Sequence, residues 1–294
     1  MKDEFSEYAL SGWFPGHMQK ARKQLQEALK LVDLAVELVD ARAPVSTRNP
    51  QLSAILSGKP RLVVANKADL ASPAGNNAWA KYCAEKGIRI YFLDARRPGS
   101  LKELTAAWRQ CVLDERAAKG VTRPLVRPIR IIIAGVPNVG KSTLVNHLND
   151  HNTALVGARP GVTRVNQWIP LGNGMELLDT PGLLWPRIRD KKHELMLALL
   201  DIMNNEVVSR ELIADFLAWK LETMKVSVPW ENYGLEKVPD DGDQLLTGIA
   251  RKRGYLLPGG RLDTERAAYS FIRDFRDKKL GRLTLEWPPS LKAP

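Results

Sequence analysis

GVPNVGKS (Gly135 to Ser142) stands directly after the apolar run IRIIIA (Ile129 to Ala134) and directly before a stretch with helical spacing from Lys141 to Leu148. A strand, a glycine-rich loop and a helix in that order form a phosphate cradle: backbone N–H groups wrap the phosphates, Lys141 reaches the β and γ oxygens, and Ser142 can ligate Mg2+. Asn138, Val139, Gly140 and Thr143 complete the expected nucleotide contacts. A glycine-rich turn can match this pattern by chance. Against that stands DTPG (Asp179 to Gly182), delivered downstream by a further strand, Met175 to Leu178. Asp179 would hold the Mg2+ shell, and Gly182 would offer its N–H to the γ-phosphate while permitting a nucleotide-dependent flip.

Upstream of the cradle, the apolar LVVA runs into NKAD: Asn66, Lys67, Ala68 and Asp69. A carboxylate at Asp69 can accept from both the N1–H and the exocyclic amine of guanine, Asn66 sits by the other edge of the base, and the stem of Lys67 covers the ring. Adenine would set an acceptor against that carboxylate, a mismatch that discriminates by a factor on the order of 10⁴. Beside a phosphate cradle, NKAD therefore points to GTP and opposes an ATPase or a kinase. Ras-like GTPases carry these motifs in the reverse order, so the chain resembles a circularly permuted GTPase.

The runs LAVELVDAR, LVVANKADL and IRIYFLDAR read as strands buried on both faces, with helical patterns at Trp79 to Lys86 and Leu101 to Lys119 between or after them. This is the alternation of an α/β fold with a parallel sheet, whose ligands bind at the strand ends. An amphipathic helix is expected over residues 18 to 31. Beyond about Arg189 the pattern becomes helical throughout, which predicts a GTPase domain over 1–187 and a smaller all-α domain over 188–294. The last helix is expected to be capped by Asp263 or Thr264 and stopped by Gly281.

With 294 residues and 44% hydrophobic content the chain can bury a full core, and no apolar run is long enough for a signal peptide or a membrane span. A soluble, cytoplasmic protein that needs no membrane is expected. The net charge of +11 points to a large anionic partner. Basic residues concentrate near the C-terminus, after an acidic stretch from Glu231 to Asp243: between Arg251 and Arg282 there are ten against four acidic. That excess makes Arg251, Lys252, Arg253, Arg273, Arg276, Lys278 and Lys279 candidate RNA contacts rather than ordinary solvated surface. Cys83 and Cys111 lack metal or disulfide spacing and read as core residues. His193-Glu194 is not a zinc motif, because residue 197 is leucine. His147 and His151 read as solvent or capping residues, Asp40 and Arg42 as the exit turn of the first strand, and Trp168 as a core residue or one that moves with the nucleotide.

DARAP (Asp40 to Pro44), NKAD, GVPNVGKS, PGVT (Pro160 to Thr163) and DTPG, in that order, resemble the YlqF/YawG class of circularly permuted GTPases. WFPGHM (Trp13 to Met18) and RKRGYLLPGGRLD narrow the resemblance to the ribosome-biogenesis branch of that class. It implies a Ras-like domain followed by a helical RNA-binding domain, working as a monomer on the precursor of the large ribosomal subunit. It also implies that Thr163 closes on Mg2+ and the γ-phosphate, and that Asn138 helps to hold K+. Ala95 takes the place of the base-capping motif and would give its N–H to the guanine oxygen, although DAR (Asp94 to Arg96) departs from the family pattern. Where Ras-like enzymes keep a water-orienting glutamine this chain has Leu183, and the resemblance supplies His17 instead; a histidine after Pro-Gly also reads as structural. Two functions stay open at this point: a GTPase cycle on the ribosome precursor, and an RNA-binding scaffold in which GTP binding, not turnover, is the event.

Overall fold

A computed structural model of the chain describes residues 5, 8–10, 26–48, 55, 58–156, 168–178, 188, 190–203 and 208–289. It forms two compact units, Pro15–Pro186 and the pair of segments Met1–Phe14 with Arg187–Pro294. The first 14 residues thus group with the C-terminal unit, not with the GTPase domain expected over 1–187. Apolar contact accounts for the difference: the buried Phe5 ring packs edge-on against Phe216 at 5.4 Å and tilted against Trp219 at 5.3 Å. Lys191 Nζ also donates to the Ala9 carbonyl at 2.9 Å.

The larger unit is built on strands β1 (Leu34–Asp40), β2 (Arg61–Asn66), β3 (Ile90–Leu93), β4 (Ile129–Gly135), β5 (Trp168–Pro170) and β6 (Met175–Leu178). They make one sheet in the order β3-β2-β1-β4-β6-β5, parallel except for β5, which runs antiparallel to β6. β1 is buried along its whole length because both faces of the sheet are covered. On one face Ala35, Ile132, Ala134 and Leu178 pack under Ala28, Leu29 and Val32, next to residues 26–29, which are helical. Full burial of each large aliphatic side chain here contributes about 1.5–3 kcal/mol. The rest of the helix expected over 18–31 lies outside the described residues. β5, only three residues long, was not expected.

Helices α1 (Pro73–Glu85), α2 (Ser100–Ala118) and α3 (Lys141–Val156) connect or follow the strands. Ser72 caps α1 by accepting from the Gly75 N–H, and Pro73 sits where a missing donor costs nothing. α3 runs two turns beyond the expected Leu148. Because β1 lies between β2 and β4, the chain leaves it toward opposite edges of the sheet, and the carboxyl ends of these strands frame a crevice. Cys83 and Cys111 are both free and buried, as expected.

The C-terminal unit consists of α4 (Lys191–Leu199), α5 (Arg210–Thr223), a 3-10 turn (Trp230–Tyr233), α6 (Gly242–Arg253) and α7 (Thr264–Arg276), with no strand among its described residues. Each α-helix starts on a side-chain cap: Asp190, Ser209, Asp241 and Asp263 accept from N–H groups of the first turn. Phe216, Leu245, Ile249 and Phe271 form the core, with the Tyr233 ring edge-on to Phe271 at 5.1 Å. Gly248 admits this packing, because a Cβ there would lie 2.7 Å from Leu235 Cδ2. α7 does not run on to Gly281. It ends at Arg276, and Lys278, at φ +65°, takes the left-handed position. The N–H groups of Lys278 and Lys279 return to the carbonyls of Phe275 and Asp274, closing the helix before the glycine is reached.

Candidate guanine-nucleotide site

Three chain turns meet at the carboxyl ends of β1, β2 and β4. The phosphate loop follows β4 with Asn138 at φ +55° and Gly140 at φ +102°. These left-handed residues turn the loop so that α3 begins at Lys141. Ser142 and Thr143 lie exposed in its first turn, which carries no acidic residue, so the positive end of the helix favours an anion there. Gly140 is required for space as well as conformation: a Cβ would stand 2.2 Å from Asn66 Nδ2.

That closeness comes from a direct tie between the two motifs. Asn66, buried at the end of β2, donates from Nδ2 to the Val139 carbonyl at 3.0 Å. Lys67 takes φ +58° and donates from Nζ to the Asn138 carbonyl at 3.3 Å. The same ammonium lies 3.1 Å from Asp40 Oδ2. Asp40, fully buried, is gripped by Arg42 through Nε and Nη2, at 2.9 and 2.8 Å, and through the Arg42 N–H. Burial opposes ionisation of this carboxyl, but the charges of Arg42 and Lys67 and the hydrogen bonds from Arg42 outweigh it and hold it well below the usual carboxylate range. The exit turn read into DARAP is real, and it does more: Asp40 anchors Lys67 between the NKAD turn and the glycine-rich loop.

Asp69 stands at the rim of the crevice, paired with Arg96 through Nη2 at 2.7 Å. Ala95 is buried, and its carbonyl contacts His147 Nδ1 on α3. His147 is thus not a solvent or capping residue; it ties the base-side loop to the helix that carries the phosphate loop. Neither this contact nor the Asp69–Arg96 pair has a local sequence signal, because the partners lie 52 and 27 residues apart. His17, Thr163, Asp179, Gly182 and Leu183 lie outside the described residues, as do the WFPGHM and PGVT motifs. Trp168 is half-buried under the Arg130 guanidinium, 4.7 Å from its ring centre, and packs against the core.

The family described as 50S ribosome-binding GTPase matches residues 130–223. Ribosome biogenesis GTPase A of Bacillus cereus is 43% identical over 282 residues, covering 94% of this chain and 93% of its own. The chain belongs to the ribosome biogenesis GTPase A family. Mitochondrial ribosome-associated GTPase 1 of Xenopus tropicalis is 34% identical over 303 residues, covering 96% of each chain. The crystal structure of GNP-bound YlqF from T. maritima matches with a TM-score of 0.63 and 28% identity, over 92% of this chain and 99% of that one. The fold is that of a circularly permuted GTPase, and the chain is a GTPase like its relatives.

In the helical unit the basic residues divide into two groups. Arg253 pairs with the buried Asp274, which Lys279 also meets at 2.9 Å and to which Tyr233 donates at 3.3 Å. Arg276 donates to the carbonyls of Leu199 and Ala198, both at 2.9 Å, and pairs with Asp201. These two arginines hold the unit together. Arg251, Lys252, Arg273, Lys278 and Lys279 are exposed, although Arg273 also pairs along its helix with Asp277. No helix among the described residues is long and apolar enough to cross a membrane.

Proposed function

We propose that this chain is a GTP-driven assembly factor acting in late maturation of the large ribosomal subunit, holding the pre-ribosomal particle in its GTP state and leaving after hydrolysis. The observation that carries the reading is the bond from Asn66 Nδ2 to the Val139 carbonyl, which joins the guanine-reading and phosphate-reading motifs into one site. Relatives named as ribosome biogenesis and ribosome-associated GTPases supply the partner.

In this reading Asp69 receives the N1–H and amine of guanine, the Lys67 stem lies on the ring, and the Ala95 N–H meets the guanine oxygen. The loop N–H groups and Lys141 hold the phosphates. The exposed hydroxyl of Ser142, joined by Asp179 and Thr163, offers hard oxygen donors that fit Mg2+. When bound, Mg2+ neutralises charge on the β and γ oxygens. Asn138 would help to place K+ beside the same phosphates, and Gly182 would donate to the γ-phosphate. His17 orients the attacking water, since Leu183 has no polar atom to do so. The water oxygen bonds to the γ-phosphorus as the bond to the β-phosphate oxygen breaks, and GDP and phosphate leave. Arg251, Lys252, Arg273, Lys278 and Lys279 contact ribosomal RNA; Arg253 and Arg276, engaged internally, drop out of the earlier set. The protein works as a monomer in the cytoplasm. In co-sedimentation with purified large subunits, a non-hydrolysable GTP analogue should favour binding over GDP, and ATP should not substitute. Equal pelleting with GDP and the analogue would contradict the proposal.

A further inference from the structure

The loop after β3 is held at several points, and one of its exposed side chains, Arg96, reaches across to the carboxylate at which the proposed site receives guanine. The Asp94 carbonyl accepts from Ser100 Oγ at 2.9 Å, the Ala95 carbonyl meets His147, and the Arg96 N–H donates to Asp94 Oδ1 at 3.0 Å. The Arg96 side chain is 64% exposed, and its guanidinium reaches out to bond Asp69 Oδ2 at 2.7 Å. Asp94 stands 3.7 Å from Arg96 Nε and offers the guanidinium an alternative partner on its own loop. A guanidinium presents planar N–H donors to a carboxylate much as the N1–H and amine of guanine do. Guanine therefore cannot take both oxygens of Asp69 while Arg96 holds one of them.

We propose that Arg96 is a placeholder on the base site: it occupies Asp69 in the empty protein, is displaced by guanine, and sets nucleotide affinity by competition. The proposal rests on the reading of Asp69 as the guanine acceptor. Only the fraction of molecules with Asp69 released binds at once, so apparent affinity falls by that fraction. Because Arg96 is exposed, the competition is modest, about two- to fivefold by the usual strength of such pairs. It acts equally on GTP and GDP, since it touches only the base end.

The test is the dissociation constant of fluorescent GDP and of a GTP analogue for the full chain and for Arg96→Ala and Arg96→Gln. Both variants should bind both nucleotides about two- to fivefold more tightly than wild type. The ratio should shrink toward one in about 1 M salt, where the pair is screened over a few ångströms. In an Asp69→Asn background, Arg96→Ala should leave xanthosine nucleotide binding unchanged. Unchanged or weaker binding by Arg96→Ala, or wild-type affinity in Arg96→Gln, would overturn the proposal. If the wild-type chain binds no guanine nucleotide, the reading of the site fails instead.

Discussion

Asp69 and Asp40 are carboxylates with opposite tasks, and their surroundings tell them apart. Asp69 lies near the surface, where a base can reach it; Asp40 is sealed between Arg42 and Lys67. Asp69→Asn exchanges an acceptor for a donor, so GTP should bind far more weakly and xanthosine triphosphate should become the preferred ligand in a competition assay. Asp40→Asn instead leaves the buried Arg42 without a counter-charge, a loss of about 3–5 kcal/mol that a denaturant titration would register. The pH dependence has a definite sign. The folded Asp40 carboxyl titrates below its ordinary value of 3.8, so its contribution is complete above that value and fades as pH falls below it. The asparagine variant should lose that part of the acid slope. Asp69 stands out in the sequence because guanine recognition, its proposed task, demands a carboxylate in a fixed setting. The holds of Arg96 on Asp69 and of His147 on Ala95 were not, since each depends on where distant turns come to rest.

At the scale of elements, buried parallel strands announced themselves as apolar runs, and the cap of α7 as one of the neighbours Asp263 and Thr264, of which Asp263 takes the position. The short β5 carried too few residues for periodicity to act on, and the end of α7 was misread because glycine is the usual left-handed residue, whereas here Lys278 accepts that conformation for two returning hydrogen bonds. Basic residues were hardest to sort, because charge alone does not separate a residue that binds RNA from one that ties helices together. Arg276→Ala removes the guanidinium that ties α7 to the end carbonyls of α4 and should destabilise the chain by about 1–3 kcal/mol. The exposed pair Arg251→Ala and Lys252→Ala should each cost less than about 0.5 kcal/mol. In RNA binding their effects should reverse in kind: loss of an exposed phosphate contact lowers the logarithmic salt slope by about 0.7 to 0.9 per charge. Denaturation midpoints and salt titrations on the same variants check both halves.

For the whole molecule, permutation moves the proposed guanine reader ahead of the phosphate loop in sequence, yet the two still meet in space, at the carboxyl ends of β2 and β4, which flank β1. What permutation changes is the exit: the segment after β6, with DTPG, runs on directly to the helical unit. The proposed γ-phosphate sensor thereby stands next in the chain to the proposed RNA-binding helices, which is the order an assembly GTPase needs. An apolar Leu183 in place of a water-orienting glutamine predicts slow turnover in isolation, with acceleration only on the proper particle. The most direct measurement is GTP hydrolysis by the purified chain with and without purified large ribosomal subunits, small subunits serving as the control. A rate raised at least tenfold, on the order of 1.4 kcal/mol in barrier, by large but not small subunits is predicted; an unchanged rate, or equal stimulation by both, would contradict the account.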